Sequence, residues 1–408
     1  MKFGLLGRKL GHSYSPVIFD LLGHYRYDLY EREPEQLEHL LRNGDFDGLN
    51  VTIPYKKAVL PLLDQVDPLA ERLGSVNTIV KRPDGRLEGY NSDYDGFSYL
   101  VQHSGLALRG KKALVLGSGG ASVTVVAVLR DLGAEAVVIS RHGENNYENL
   151  QLHRDARIIV NATPVGMFPH TGEAAVDVRD FPHLEGVFDL IYNPARTQLL
   201  LDCEACGIPA WNGLRMLVAQ AKTSAEHFLD RSLPDSCIEQ IHGRLRRQME
   251  NIVLIGMPGC GKSTVGALLA EKTGKTFVDA DDAFTALYGR TPAQVIEESG
   301  EDAFRALETK VLTQLGRGSH QVIATGGGCV TRQENLPLLH QNGVLIWLRR
   351  DPAALPIEGR PLSKLTAPAL LYQQRQPLYA AFADLTVDNC NTPQAAADDI
   401  LNKLEENV

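Results

Sequence analysis

The stretch Gly256-Met-Pro-Gly-Cys-Gly-Lys262-Ser263 restricts this chain more than any other, because it lies between an apolar run, Asn251–Ile255, and a helical pattern over Ser263–Thr273. In the pattern GxxxxGK[ST], glycines let backbone N–H groups converge on a phosphate, the lysine reaches the β/γ oxygens and the hydroxyl serves Mg²⁺. A strand that passes through such a turn into a helix is a βα unit, and βα units assemble into parallel, doubly wound sheets. A second unit has the same design: Lys112–Leu116, then Gly117-Ser-Gly-Gly-Ala121-Ser122, then a helical pattern over Ala121–Leu132. Gly133 and Gly274 close the two helices as left-handed caps. A third strand-like start lies at Lys2–Leu6. The fold class is therefore α/β.

At about 150 residues per domain, 408 residues imply two or three domains. The 44% hydrophobic and 22% charged content exclude a disordered or fibrous chain. The N-terminus lacks the layout of a secretion signal, and no apolar stretch reaches the roughly 18 residues of a membrane span, so a cytoplasmic protein is expected. Six scattered cysteines form no disulfide framework and suit a reducing compartment. A net charge of −9 argues against nucleic-acid and membrane partners. It allows small anions, held by a few aimed cations and helix N-termini. No oligomeric state is assigned. Pro234 and Asp235 open a helix with Ile238, Ile241 and Leu245 on one stripe, and Met249 then reads like the start of an independent protein. The chain is read as a fusion with a very short joint.

Beyond the phosphate loop, Asp279 and Asp281 stand at i and i+2 at an apolar strand end, able to divide metal and hydroxyl duties. Alone, that pair reads equally as a solvated strand end. Phe304-Arg305 with Glu308, Thr325-Gly-Gly-Gly328, Arg360-Pro-Leu362 and Arg375 with Tyr379 follow in order. In the earlier unit a second strand, Ala136–Ile139, ends in Ser140-Arg141, where an acidic residue would bind the 2′-hydroxyl of NAD and a cation the 2′-phosphate of NADP. That favours NADP. Ahead of it, His12-Ser13-Tyr-Ser15-Pro16 offers two hydroxyls on one side of an extended segment, or a helix cap followed by Pro. His12 is read as a supporting hydrogen-bond residue. Cys203-Glu-Ala-Cys206 has no second pair and is not read as zinc or redox chemistry.

On the ordered motifs just named, residues 249–408 resemble shikimate kinase. The resemblance implies a P-loop domain of the nucleoside-monophosphate-kinase type, with Gly259, Cys260, Gly261, Lys262, Ser263, Thr264 and Arg360 on ATP and with Ser263 and Asp279 on Mg²⁺. It also implies that Asp281 accepts from the substrate hydroxyls where the attacking oxygen loses its proton. Arg305 and Arg375 would grip the shikimate carboxylate, Gly326, Gly327 and Gly328 would clear space for the ring, and Arg360 would neutralise the transferring phosphoryl group. The segment 351–359 is shorter than the family's usual lid and lacks its additional arginine.

Residues 1–247 resemble shikimate dehydrogenase through His12–Pro16, Asn50-Val-Thr52-Ile-Pro-Tyr-Lys56, Gly74-Ser-Val-Asn77-Thr78, Gly89-Tyr-Asn-Ser-Asp93, Asn161–Met167, Asp189-Leu-Ile-Tyr192-Asn-Pro194 and Asn212-Gly-Leu-Arg-Met216 with Gln220. This implies a substrate α/β domain (1–105 with the helices of 214–248) and a Rossmann-like NADP domain (106–213), followed by the kinase domain at 249–408. Ser13, Ser15, Thr52, Asn77, Asp93 and Gln220 would bind the substrate's carboxylate and hydroxyls, with Tyr192 near the carboxylate. Lys56 and Asp93 would be the catalytic pair. Gly117, Ser118, Gly119, Gly120, Ala121, Ser140, Arg141, Leu190 and Gly213 would hold NADP(H). Departures from the family pattern include Arg8, Ser92, Tyr94, Val123 where a basic residue is common, His142, Asn212 and Arg215, the last able to replace Val123 if it faces the cofactor.

The expected protein is a bifunctional enzyme. It reduces 3-dehydroshikimate with NADPH and phosphorylates shikimate with MgATP. The alternatives are an NAD-preferring quinate/shikimate dehydrogenase fused to the kinase, or one half kept as a non-catalytic binding module.

Overall fold

The computed structural model describes residues 1–11, 13–355 and 368–406. Arg360, the segment before it from residue 356, and His12 lie outside the described residues. The chain forms two compact units, one of Met1–Gly166, Glu173–Tyr192 and Asp202–Leu245, the other of Met167–Gly172, Asn193–Leu201 and Arg246–Val408.

The first unit holds two sheets. One contains β1 (Lys2–Gly7), β2 (Arg26–Glu31), β3 (Gly48–Val51), β4 (Gln65–Val66), β5 (Thr78–Lys81) and β6 (Leu87–Tyr90), in the order β2-β1-β3-β5-β6-β4. β5 runs antiparallel to both β3 and β6, and the remaining pairs are parallel. The second sheet contains β7 (Lys112–Leu116), β8 (Glu135–Ile139), β9 (Ile158–Asn161), β10 (Gly186–Asp189) and β11 (Ala210–Trp211), all parallel, in the order β11-β10-β9-β7-β8. β9 and β10 are buried along their whole length, as strands covered on both faces must be.

The second unit is built on β12 (Asn251–Ile255), β13 (Thr276–Asp279), β14 (Gln321–Ala324), β15 (Gly343–Arg349) and β16 (Leu385–Asp388). All pairs are parallel, and β12 lies at the centre of the order β13-β14-β12-β15-β16. Every residue of β12 is buried. The phosphate-loop helix occupies Lys262–Thr273 and ends on Gly274 at φ 70°. The corresponding helix of the first unit runs Gly120–Asp131, with Gly133 at φ 85°. The helix expected before the joint runs Ser236–Met249 and buries Ile238, Ile241 and Leu245. Among the described residues no helix is long and apolar enough to cross a membrane.

Gly316 shows how tightly the second unit packs. It sits in the helix Glu301–Arg317, where alanine is ordinarily the better residue by about 1 kcal/mol. A Cβ there would stand 1.9 Å from the carbonyl oxygen of Leu338, on the neighbouring helix Asn335–His340. Steric repulsion against a fixed backbone outweighs propensity, so Gly316→Ala is expected to destabilise the second unit by about 2 kcal/mol. Differential scanning calorimetry checks the sign: a higher unfolding temperature would contradict the close approach.

Candidate functional site

In the second unit, parallel pairing places the carboxyl ends of β12, β13 and β14 side by side, and each releases a segment into one cleft of about 560 Å³. From β12 come Gly259, Gly261, Lys262, Ser263 and Thr264; from β13, Asp279 and Asp281; from β14, Thr325 through Gly328. Arg305 and Arg375 line it from the helices Glu301–Arg317 and Pro368–Phe382. Cys260 does not line it. Its side chain is fully buried, its N–H is donated to the Met257 carbonyl at 3.2 Å and its carbonyl accepts from Asn389. Lys262 is buried and donates to the carbonyls of Gly256 and Met257 at 2.9 and 3.0 Å, folded against the loop it serves.

The two aspartates differ from the expected strand pair. Asp279 ends β13 and caps the helix Ala280–Tyr288, accepting from the N–H of Asp281, which occupies that helix's first turn. A side-chain cap removes the strict alternation of a strand, so the carboxylates are separated by a turn rather than by one pleat. Asp279 also accepts from the Ser263 hydroxyl at 2.7 Å. That contact joins two hard oxygen donors, a set suited to Mg²⁺, which keeps several waters and takes one or two protein ligands. Asp281 remains reachable by solvent at the cleft wall. Its surroundings in the concave site, and then the negative charge of Asp279, raise its carboxyl above the usual range.

Arg305 is almost fully buried and bonded to Glu308 at 2.7 Å and to Glu301 at 2.9 Å. Burial pushes the Glu308 carboxyl up, against the pull of Arg305. Its Oε1 has no hydrogen-bond partner among the described residues and faces Gly326, where a Cβ would lie 2.5 Å from Oε1 and 3.4 Å from Asp281. Arg375 donates to the Gly327 carbonyl at 3.1 Å, and Tyr379 donates to the same oxygen. A Cβ on Gly328 would strike the Arg305 guanidinium at 1.9 Å, so this glycine accommodates a buried protein cation as well as any ligand. Glu308, Thr325 and Arg350 also line the cleft, although no site role was expected of them. The signals were Glu308 at i+3 from Arg305 on one helix face and Arg350 directly after a strand end.

In the first unit, Lys56 Nζ lies 2.5 Å from Asp93 Oδ2, both side chains mostly buried. Asp93 stands in the first turn of the helix Ser92–Ser104, capped by Asn91, where the helix dipole favours a carboxylate. Beside it runs a buried polar network. Asn77 Nδ2 donates to Ser92 Oγ at 3.0 Å, and Ser92 N–H to Asn77 Oδ1 at 2.7 Å. Ser92 also contacts Ser224 at 2.8 Å and Gln220 at 3.4 Å, and Asn50 donates to Ser224 at 2.7 Å. Asn77 and Gln220 are thus brought together through Ser92. Asn50 accepts from Tyr27, which the Ser15 hydroxyl also meets. Ser15 begins the helix Ser15–Gly23 and its N–H is donated to Ser13 Oγ at 3.2 Å, so the segment is a helix start rather than an extended pair of hydroxyls. Pro16 at the first turn explains the switch. Thr52 is half-buried after β3, and Tyr192 meets Tyr14 edge-on with ring centres 6.0 Å apart.

On the parallel sheet of this unit, Gly117 follows β7 at φ 101°, and a Cβ there would meet Thr163 at 2.9 Å and the Ala162 carbonyl at 3.1 Å. Only glycine fits that turn. Ser118 and Gly119 are exposed, Gly120 and Ala121 open the following helix, and Gly213 packs against the Leu190 carbonyl so closely that a Cβ would lie 2.1 Å from its oxygen. Ser140 and the exposed Arg141 follow β8, the strand paired with β7. A glycine turn at a helix N-terminus with an exposed cation on the adjacent strand end fits a dinucleotide carrying a 2′-phosphate. Arg215 does not substitute for the absent basic residue at Val123, because Glu239 holds it through two hydrogen bonds of 2.9 Å. Cys203 is buried and Cys206 exposed, and no group of three metal-ligating side chains occurs among the described residues.

Because Asp279 raises Asp281, Asp279→Asn is expected to lower the pKa of the Asp281 carboxyl. A ¹³C NMR titration of the carboxyl carbons, in protein without nucleotide, reads this independently of activity. An unchanged or higher value would refute the coupling.

Residues 258–405 match the family model described as shikimate kinase, and residues 5–79 match that of the shikimate dehydrogenase substrate binding domain. The chain is 35% identical over 269 residues to the shikimate dehydrogenase (NADP(+)) of Shouchella clausii, a match covering 59% of this chain and 97% of that protein. The crystal structure of shikimate dehydrogenase 1 from Peptoclostridium difficile is similar at 35% identity and a TM-score of 0.56, covering 60% of this chain and 98% of that one. Shikimate 5-dehydrogenase from Thermus thermophilus, in complex with NADP(H) and shikimate, is similar at 31% identity and a TM-score of 0.54, covering 60% and 99%.

Proposed function

We propose, from the premise that this chain belongs to the shikimate dehydrogenase family and carries a shikimate kinase domain over residues 258–405, that one polypeptide performs two reactions: NADPH-dependent reduction of 3-dehydroshikimate to shikimate, then phosphorylation of the resulting 3-hydroxyl by MgATP. In this reading residues 1–105 with 214–248 bind the first substrate, 106–213 hold the dinucleotide and 249–408 transfer the phosphoryl group. The observation that carries it is the Lys56–Asp93 contact in a chain whose second unit gathers the phosphate loop, two aspartates and two buried arginines around one cleft.

NADPH, when bound, supplies the hydride for the keto carbon. Lys56 stands to donate a proton to the oxygen that gains charge, and Asp93 holds its ammonium in place. Asn77 and Gln220, anchored through Ser92, orient the ring hydroxyls, while Ser13, Ser15, Thr52 and Tyr192 supply the remaining polar contacts. In the second reaction Asp281 takes the proton of the attacking hydroxyl, and its raised pKa strengthens it as a base. Arg305 and Arg375 hold the carboxylate, with Arg305 fixed by Glu308 before substrate arrives. Lys262 serves the phosphate chain, Ser263 and Asp279 hold Mg²⁺, and Arg360 is assigned to the transferring group.

Purified full-length protein given 3-dehydroshikimate, NADPH and MgATP is expected to form shikimate and then shikimate 3-phosphate. Failure to form the phosphate from added shikimate would overturn the kinase assignment. Lys56→Ala is expected to lower dehydrogenase turnover by about 10² to 10⁴ with kinase turnover retained. Lys262→Ala should give the converse, and loss of both activities in one folded variant would defeat the assignment. The exposed Arg141 leads to a further expectation: Arg141→Ala raises KM for NADPH far more than for NADH. An unchanged preference ratio would show that another residue reads the 2′-phosphate.

A further inference from the structure

The second unit carries a cation at the nucleotide cleft that neither the motifs nor the reading above uses. Arg350 is the first residue after β15, half-buried, and lines the same cleft as Lys262. Its neighbour Arg349 is held by Asp388 through two bonds of 2.8 Å and lies over Trp347. Arg350 has no such carboxylate partner among the described residues. A guanidinium facing a polar cleft without an anion is a ready receptor for one, and its fork geometry matches phosphate.

The sheet order indicates which anion. β15 pairs with β12 in parallel, Ile255 opposite Trp347, and a Cβ on Gly256 would meet the Leu348 carbonyl at 2.5 Å. Arg350 stands three residues beyond Trp347, as Pro258 stands three beyond Ile255, so it reaches the cleft level with the phosphate loop. Asp279, Asp281 and Gly326–Gly328 arrive from β13 and β14, on the opposite side of β12. The acceptor-side groups and Arg350 thus flank the phosphate loop from two sides. The other cleft cations are already engaged: Arg305 by two carboxylates, Arg375 by the Gly327 carbonyl and Lys262 by two carbonyls of its own loop.

We propose that Arg350 grips the phosphate chain of the nucleotide, from the side of β12 opposite the acceptor alcohol, and so sets the preference for nucleoside di- and triphosphates over monophosphates. This rests on the kinase reading only for the identity of the anion. Loss of a charge-assisted, bidentate contact corresponds to about tenfold in affinity or more.

The test uses the full-length protein and isothermal titration with MgADP and with AMP. Arg350→Ala is expected to weaken MgADP binding by about tenfold or more and to leave AMP within about twofold, with Arg350→Lys falling between. Kinase assays should show the loss in KM for ATP, and an unchanged KM for shikimate, read in the same unit that carries Arg350, shows that this unit of the variant is folded. Unchanged MgADP affinity overturns the proposal, as does a defect confined to the KM for shikimate. If wild-type protein binds MgADP yet phosphorylates no shikimate, the kinase reading fails while the titration still decides the role of Arg350.

Discussion

Parallel hydrogen bonding of β12 to both β14 and β15 is the interaction on which the second site depends. Parallel neighbours must all present their carboxyl ends on one edge, because each crossover returns the chain to the opposite edge. The phosphate loop, Asp279, the glycines after β14 and Arg350 therefore meet without any of them being near another in sequence. The full burial of β12 fixes the starting point of the loop, and the tight packing of Gly256 against the Leu348 carbonyl leaves that start little freedom. The Arg305–Glu308 pair adds a second constraint. Taking both charges out of water is costly, and a buried pair is weak evidence for stability, so what the pair contributes is a guanidinium held in one position at the cleft wall.

The first site is organised by a different device. Asn77, Thr78, Ser92 and Ser224 are nearly or completely buried and satisfy one another in a continuous polar network. Such a network rigidifies its surroundings when it is fully satisfied and is costly when broken. It couples strand β5 to the helices Ser92–Ser104 and Leu214–Leu229, which carry Asp93 and Gln220. The Lys56–Asp93 pair thus rests on a scaffold whose polar atoms are already committed, and Asp93 in turn fixes the Lys56 ammonium. Ser92 supplies the hydroxyl that the network requires.

Local chemistry made much of this legible. The two glycine turns with their strands and helices, the capping glycines Gly133 and Gly274 and the helix before the joint are encoded within short windows, where backbone sterics and hydrophobic period act directly. The phosphate-loop lysine and hydroxyl belong to the same class, since their spacing alone places them at a helix N-terminus. The aspartates after β13 were less legible. Asp279 does end β13, but its carboxylate also caps the helix that starts there, so Asp281 falls in a helical first turn rather than on the same strand face.

The amino-acid sequence by itself determined the α/β class, the nucleotide loop and the pairing of two enzyme families in one chain, since each rests on motifs of residues close along the chain. Tertiary structure alone decided which charges are spent and which are available. Arg215 is neutralised by Glu239, 24 residues away, while Arg141 stays exposed. Arg349 is tied to Asp388 on the neighbouring strand, whereas Arg350 opens into the cleft. An arginine's composition and spacing are the same whether a carboxylate from another strand or helix reaches it or not. Coulombic pairing depends on separation in space, and that separation is set only when the sheets close.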